Sequence, residues 1–131
     1  WNLSVQVVKG PTVAVSGVLQ VDGYSKSQVI VPAENAGTDG TLDVALDTTN
    51  AELLLIQADR YVDPADETAL LQYAINPGAT PGPTGTLSAP ILLIGADPIK
   101  LLADPVTLIQ FTNPIPLPVT INIIVGGDIT P

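Results

Sequence analysis

The chain of 131 residues contains no histidine, no cysteine and no methionine. Without histidine it cannot form a Ser-His-Asp constellation, and it lacks the commonest general base. Without cysteine it has neither a disulfide framework nor a thiolate nucleophile, and no plausible ligand set for structural zinc remains. No nucleophile elbow, phosphate loop or dinucleotide fingerprint occurs. The sequence therefore predicts no enzyme, no catalytic, cofactor-binding or metal-binding residues, and no cofactor.

Cations and aromatic residues are also scarce. Four cations stand against 13 acids, which gives a net charge of −9, so binding to nucleic acid or to an anionic membrane surface is not expected. The five aromatic residues offer few platforms for stacking on sugars. The longest apolar stretch, PILLIGA at 90–96, is too short to span a bilayer. Because no leader pattern occurs and the chain opens on Trp1, we expect a processed or trimmed form.

Short alternating apolar segments dominate what is present. Runs such as LSVQVV, TVAVS, SQVIVP and TLDVALD alternate, while 13 prolines and 11 glycines are dispersed among them. AELLLIQA at 51–58 is a continuous apolar run that fits a buried strand or a short helix, and DPADET favours one helical turn near 64–68 before a strand. TLSAPILLI, VTLIQFT and VTINIIVG are three further strand candidates.

This spacing of strands and turns predicts an all-β chain with a single-domain antiparallel β-sandwich of jelly-roll type and about eight short strands. We assign residues 1–10 to an N-terminal arm or first strand and residues 11–131 to the sandwich domain.

Two acidic clusters are the only groups that suggest ion binding. Asp39, Asp43 and Asp47 recur every four residues, which favours a solvated strand face. The second cluster surrounds the only arginine, for which surface ion pairing is the simpler interpretation, and an EF-hand spacing for Ca²⁺ is missing. Its members are Asp59, Asp63, Asp66 and Glu67 around Arg60.

The segment FTNPIPLPVTINIIVGG places Pro114, Pro116 and Pro118 at every second position. Because proline cannot donate to a strand ladder, we predict that this segment crosses between sheets, and that Phe111, Ile115 and Leu117 lie outside a fully paired central strand. Residues 119–125 then form a core strand, with Val119, Ile121, Ile123 and Val125 on one face.

Candidate interface residues come from three features: the N-terminal segment, the proline-rich loop PGATPGPTG at 77–85, and the apolar residue that interrupts the polar side of the last strand. Aromatic residues are favoured interface anchors, so Trp1 either anchors an N-terminal arm on a neighbouring subunit or folds back on its own sandwich. The candidates are Trp1, Leu3, Pro77, Pro81, Pro83 and Ile124.

The runs AELLLIQADRY, YAINPG, LLADPVTLIQFTNP and VTINIIVGGDITP, within residues 42–131, resemble small β-sandwich head-decoration proteins of tailed bacteriophages. The resemblance implies a capsid decoration, or cement, protein: a structural virion protein on the outer capsid surface, assembled in the bacterial host cytoplasm. Its implied partners are the major capsid protein and further copies of itself, as a homotrimer that stabilises the head. The resemblance concerns strands and assigns no functional residue.

Two other functions remain open from the residues. One is a receptor- or carbohydrate-binding module of a phage fibre or baseplate. The other is an extracellular filament subunit that donates WNLSVQVV as a strand to its neighbour.

Overall fold

The computed structural model describes residues 2–6, 12–16, 23–78 and 80–127. These residues form twelve β-strands and one short α-helix. The strands are β1 Asn2–Gln6, β2 Thr12–Ser16, β3 Gly23–Val31, β4 Gly40–Ala45, β5 Ala51–Ala58, β6 Val62–Asp63, β7 Asp66–Leu70, β8 Gln72–Ile75, β9 Thr84–Thr86, β10 Ile91–Ile94, β11 Leu108–Asn113 and β12 Val119–Gly127, and the helix is α1 Ala96–Lys100.

Eight of these strands form two four-stranded sheets. Sheet A has the order β10-β5-β12-β3, and sheet B has the order β4-β11-β8-β9. Every pair within them is antiparallel. The two sheets pack against each other around one apolar core, so the predicted antiparallel β-sandwich is confirmed. The bulkiest fully buried residues come from both sheets and their connections: Phe111, Leu54, Ile56, Leu71, Ile75, Leu87, Ile99, Ile109, Ile115, Ile121 and Ile123.

The chain passes repeatedly from one sheet to the other. β3 lies in sheet A, β4 in sheet B and β5 in sheet A; β8 and β9 are in sheet B, β10 returns to A, β11 to B and β12 to A. As a result β12, the last strand, lies between β3 and β5. Most pairings therefore join segments that are distant in the sequence.

The run AELLLIQA forms strand β5, the first of the two interpretations that its composition allowed. Leu54 and Ile56 are buried in the core, while Leu53 and Leu55 alternate with them on the opposite face. β12 shows the predicted pattern, because Val119, Ile121, Ile123 and Val125 are all buried. It continues two residues beyond the predicted end, to Gly127.

The proline-rich segment 114–118 does cross from sheet B to sheet A, as predicted. The prediction for Phe111 is wrong, however: it lies in β11, which pairs with both β4 and β8, and its side chain is fully buried. The prolines begin only after Asn113, so they leave the ladder of β11 intact. Proline removes hydrogen bonds at its own position and restricts only the residue before it.

Asn113 fixes the start of this crossover. It is fully buried, and its Nδ2 donates to the carbonyl oxygens of Pro32 and Leu117 at 3.1 and 2.9 Å. Its Oδ1 accepts from the backbone N–H of Ile115 at 2.9 Å. One side chain thus satisfies three backbone groups from two connections, which compensates for the donors that the prolines lack.

The helical turn expected near 64–68 is absent; the segment is a hairpin formed by β6 and β7. Asp63 Oδ1 accepts a hydrogen bond from the N–H of Ala65 at 2.9 Å, and Asp63 pairs with Asp66 across the turn. An aspartate followed by proline satisfies nearby N–H groups equally well in a tight turn and at a helix start. The Asp63-Pro64 pattern therefore does cap neighbouring N–H groups, but it does so in the turn of a hairpin and not at the start of a helix.

The single strand predicted for TLSAPILLI is also wrong. The structure divides it into β9 in sheet B and β10 in sheet A, separated around Pro90. The helix of the described residues is α1, whose Ile99 is buried.

At the N-terminal end, β1 and β2 form a separate antiparallel pair. Its register places Leu3 opposite Val15 and Val5 opposite Val13. The predicted boundary between residues 10 and 11 lies outside the described residues, so the domain division stays a prediction.

Candidate interaction surface

The first acidic cluster does not converge. Asp43 is exposed within β4, while Asp39 and Asp47 lie outside that strand and are exposed as well. Asp47 Oδ1 accepts from the N–H of Thr49 at 2.8 Å, and hydrogen bonding by the side chain and backbone of Thr49 lowers the pKa of Asp47. Its carboxylate is therefore used in a local turn.

The second cluster is divided among local contacts in the same way. Arg60 Nε lies 4.0 Å from Asp59 Oδ1, and both side chains are partly exposed. Asp59 Oδ1 also accepts from the N–H of Thr120 at 3.0 Å. Thr68 donates to Asp66 from its hydroxyl and its N–H, which lowers the pKa of Asp66.

Among the described residues, no group of three or more acids is arranged to hold a metal ion. Within the same ranges, no helix has the length and apolarity needed to cross a membrane. The features that stand out are instead the two outer faces of the sandwich.

The outer face of sheet A carries two apolar rows. Antiparallel partners share a face, so the register defines rows that run across all four strands. One row contains Tyr24, Gly126, Leu53 and Ile94, and the next contains Lys26, Ile124, Leu55 and Leu92. We call the six large apolar residues of these rows the apolar patch: Tyr24, Leu53, Leu55, Leu92, Ile94 and Ile124.

The apolar patch is open to solvent in the single chain. Tyr24 is 69% exposed and Leu92 is 40% exposed, while the other four members are half-buried. None of the six belongs to the core or to the apolar residues that pack against it. They are therefore additional to the residues that hold the sandwich together, and contiguous exposed apolar surface of this kind marks interaction sites.

Charged residues are scarce on the outer face of sheet A. The next rows on this face contain Gln28, Asn122 and Gln57, then Ile30 and Thr120. None of the chain's 13 acidic residues occurs in the two rows of the apolar patch, and Lys26 is the only charged residue in them. The acid that this face carries is at the far end, where Asp59 bonds to Thr120. Depletion of charge is typical of the centre of a protein–protein interface.

The pair of Gly23 and Gly127 borders this patch. Gly23 at the start of β3 pairs with Gly127 at the end of β12, one position beyond the row of Tyr24 and Gly126.

The outer face of sheet B is polar. Its rows contain Thr41, Thr112, Gln72 and Thr86, then Asp43, Gln110, Ala74 and Thr84; we call it the threonine face. A groove of about 330 Å³ follows β8 and β9 on this side of the sandwich. Tyr73 passes close to Gly85, where a Cβ would lie 2.9 Å from the hydroxyl oxygen of the tyrosine.

A smaller pocket of about 180 Å³ lies between α1 and the turn that precedes β5. Thr48, Asn50, Lys100 and Asp104 are among its lining residues. Thr48 Oγ1 accepts a hydrogen bond from Val106 N–H at 2.8 Å, which connects the turn before β5 to the segment that follows α1.

The structure places the six predicted interface residues in different regions. Trp1 lies outside the described residues, and Leu3 lies in β1. Pro77, Pro81 and Pro83 belong to the loop between β8 and β9 in sheet B, with Pro77 half-buried and the other two exposed. Ile124 lies on the outer face of sheet A, inside the apolar patch. Of the five that the structure describes, only Ile124 belongs to the apolar patch.

Sequence reasoning missed the other five members of the patch. The sequence did contain a sign of this surface, because ELLLIQ and PILLI are continuous apolar runs. A strand with such a run has apolar residues on both of its faces. Their juxtaposition could not be read from the sequence, because β10, β5, β12 and β3 become neighbours only through long-range pairing.

Comparisons with protein-family models, with curated proteins and with solved structures find no match for this chain.

Proposed function

We propose that the protein is a non-enzymatic structural protein that decorates and stabilises a phage head, binding its outer surface as homotrimers. The observation that carries this proposal is the apolar patch, an acid-free surface on a chain of net charge −9. A protein of this kind needs a rigid body, a soluble surface and one adhesive face, and it needs no reactive groups. The sequence resemblance to head-decoration proteins points in the same direction.

We further infer that the sandwich is a jelly roll. In chain order its strands are β3, β4, β5, β8, β9, β10, β11 and β12, and sheet A joins the first, eighth, third and sixth of them. Sheet B joins the second, seventh, fourth and fifth. A long hairpin of strands folded over into two sheets gives this nesting, which is the order of jelly rolls in viral capsid and lectin domains. The order therefore supports a virion protein and leaves a lectin-like alternative.

The acidic remainder of the surface also fits a position on the outside of a head. A net charge of −9 maintains solubility and disfavours contact with packaged nucleic acid. Assembly of the homotrimer that binds the head then depends on apolar area at the patch, which excludes water without needing opposite charges on the facing copy.

The test uses heads made with and without the chain. Heads assembled without it, from the same source, should release their DNA at a lower temperature, and purified chain added back should restore the difference. Chain carrying Ile124→Lys should not restore it, whereas chain carrying Gln110→Lys on the threonine face should. Finding the chain only in tails, or equal heat resistance of both kinds of head, would contradict the proposal.

A carbohydrate-binding function is the second candidate, and the groove of the threonine face is the observation that favours it. Its lining offers hydroxyl, amide and aromatic groups from Thr84, Thr86, Thr112, Gln72 and Tyr73. A glycan array should then give hits that Thr86→Val or Tyr73→Ala removes. An array without hits leaves the decoration role as the better account.

A further inference from the structure

Strand β3 has the longest open edge of the two main sheets in the part of the chain that the structure describes. The outermost strands are β10 and β3 in sheet A and β4 and β9 in sheet B. β3 has nine residues, whereas β4, β10 and β9 have six, four and three. It contains no proline, and every one of its residues pairs with β12 in a single register. A long, regular edge of this kind is a template for pairing with another strand.

The hydrogen bonds of sheet A show which backbone groups point out of this edge. The N–H of Asp59, just after β5, donates to the carbonyl oxygen of Thr120 in β12 at 2.9 Å. Because hydrogen-bonded positions alternate along an antiparallel strand, the even-numbered residues of β12 bond to β5 and its odd-numbered residues bond to β3. These odd-numbered residues pair with odd-numbered residues of β3. The even-numbered residues of β3 therefore direct their N–H and C=O groups at the open edge: Tyr24, Lys26, Gln28 and Ile30.

Two strongly exposed apolar side chains lie near the two ends of this edge. Tyr24 is 69% exposed and Ile30 is 61% exposed. Neither belongs to the core or to the apolar residues that pack against it. Each lies three positions from Ser27, which is the midpoint of β3. The packing of a single chain therefore does not explain this symmetric pair.

A second copy of β3 fits the edge in one register. Two identical strands related by a two-fold axis pair antiparallel, and the same residues are used on both copies. With Ser27 at the axis, all nine residues of β3 are paired. Tyr24 then lies opposite Ile30 of the second copy, and Lys26 lies opposite Gln28. Aromatic residues opposite β-branched residues stabilise a sheet.

The neighbouring registers are less favourable. Lys26 is the only charged residue of β3, so this edge carries no acid in a chain of net charge −9. A register centred on Lys26 would place two lysines directly opposite each other, which is destabilising. A register centred on Gln28 would place Tyr24 opposite Pro32, which has no N–H to donate. Charge and main-chain hydrogen bonding thus favour the register centred on Ser27.

We propose that the open edge of β3 pairs with the same edge of a second copy, antiparallel and centred on Ser27. Sheet A of each copy then continues into sheet A of the other. One such contact is weak in dilute solution, because pairing between two strands alone is marginal in water. It forms where copies are held at high local concentration, as in neighbouring trimers on a head. That setting rests on the proposed function, whereas the register rests on β3 alone.

Disulfide trapping tests the register without background, since the chain contains no cysteine. Ser27→Cys places two cysteines opposite each other in a non-hydrogen-bonded pair, whose Cα atoms are about 4.5 Å apart and within reach of a disulfide. Ser25→Cys is the matched control in the same strand. Its two cysteines would be separated by about four residues, or ~13 Å along the strand, which is beyond that reach.

The purified full-length variants are oxidised mildly at high protein concentration, and covalent dimers are measured by mass. Ser27→Cys should give several times more dimer than Ser25→Cys. Random collisions would favour the control, because Ser25 is exposed and Ser27 is half-buried. An equal or larger yield from Ser25→Cys would overturn the inference. That outcome is also the one expected if another segment, such as WNLSVQVV, occupies the edge of β3.

A pair of exposed positions repeats the test and replaces it if Ser27→Cys fails to fold. Lys26→Cys is mixed with Gln28→Cys, because these two positions face each other only between the two different variants. The mixed disulfide should exceed both homodimers, whose cysteines would be diagonal neighbours at about 7–8 Å. A statistical mixture of the three dimers would contradict the register.

The outcomes also separate this inference from the proposed function. A preference for Ser27→Cys, together with heads that are fully heat-resistant without the chain, would contradict the decoration role and leave the pairing of β3 intact. Heads that the chain does stabilise, together with equal dimer yields from Ser27→Cys and Ser25→Cys, would overturn the pairing alone.

Discussion

The two sheets of the sandwich are alike on their inner faces and different on their outer faces. Each has four antiparallel strands and contributes large buried residues to one core, such as Ile121 from sheet A and Phe111 from sheet B. Outside, sheet A presents the apolar patch, whereas sheet B presents rows of threonine and glutamine. Folding needs one apolar face per sheet, so the second apolar face of sheet A has another purpose.

This difference separates residues that stabilise the fold from residues that make contacts outside it. Substitutions at the inner faces should lower the free energy of unfolding. Substitutions at the apolar patch should change association and leave that free energy nearly unaltered, and substitutions that keep the threonine face polar should do neither.

The largest effect is expected at the point on which both sheets depend. Asn113→Ala leaves the carbonyls of Pro32 and Leu117 and the N–H of Ile115 without their present partner. Because unsatisfied buried groups are costly, we expect the free energy of unfolding to fall by about 3 kcal/mol. Urea unfolding followed by circular dichroism measures it.

Asn122→Ala is the matched control, since Asn122 is half-exposed on the outer face of sheet A. We expect a change within about 0.5 kcal/mol there. Similar losses at the two asparagines would contradict the assigned role of Asn113.

The next largest effect is expected when a charge is placed in the apolar patch of sheet A. Ile124→Lys places a charge in the centre of the apolar patch, and burying a charge in an interface is costly. We therefore expect dissociation to monomers, with the free energy of association weakened by roughly 2 kcal/mol or more. Analytical ultracentrifugation gives the mass, and thermal unfolding shows that the sandwich is retained. Gln110→Lys, at a half-buried position of the threonine face, should leave the mass unchanged.

The difference between the two outer faces can also be reduced by making the threonine face apolar. Thr112→Ile together with Gln110→Leu creates two adjacent apolar positions on the threonine face, while both residues remain well suited to a strand. We expect assemblies larger than those of the natural chain at equal concentration, with an unfolding temperature that does not fall. An unchanged mass would mean that apolar character alone does not make a contact face.

The smallest effect concerns neither face. Hydrogen bonds from Thr68 lower the pKa of Asp66 in the folded protein, so the ionised carboxylate stabilises the hairpin above the unfolded-state pKa. That stabilisation is lost as the pH falls through the lowered, folded-state pKa. Asp66→Ala should therefore lower the unfolding temperature slightly at pH 7 and have no effect in acid. Asp43→Ala, an exposed aspartate within β4, is the control, and an equal response of the two would contradict the role of the turn.

Strand positions were predictable where alternation was strong. The pattern TLDVALD gave β4 with Val44 buried, and VTINIIVG gave β12 with its alternate residues in the core. Prediction was wrong where a local signal suits two structures, as at Asp63, whose carboxylate serves a turn as well as a helix start. It was also wrong at Phe111, because the effect of a proline stops at its immediate neighbours.

The candidate surface was only partly predictable. Ile124 stood out because it interrupts a polar alternation within one strand. Leu55 and Leu92 did not, since each belongs to a continuous apolar run whose two faces look the same in the sequence. The resemblance to head-decoration proteins concerns the strand pattern and would not have distinguished the two outer faces.

By itself the sequence determined the β character, the acidic net charge and the lack of histidine and cysteine chemistry, because composition and short-range alternation fix these properties. Only the tertiary structure decided which strands are neighbours. Since β3, β5, β10 and β12 pair across long stretches of chain, the six residues of the apolar patch become one surface only when the sandwich closes. Local alternation states which residues share a face of a strand, and long-range pairing states which strands share a sheet.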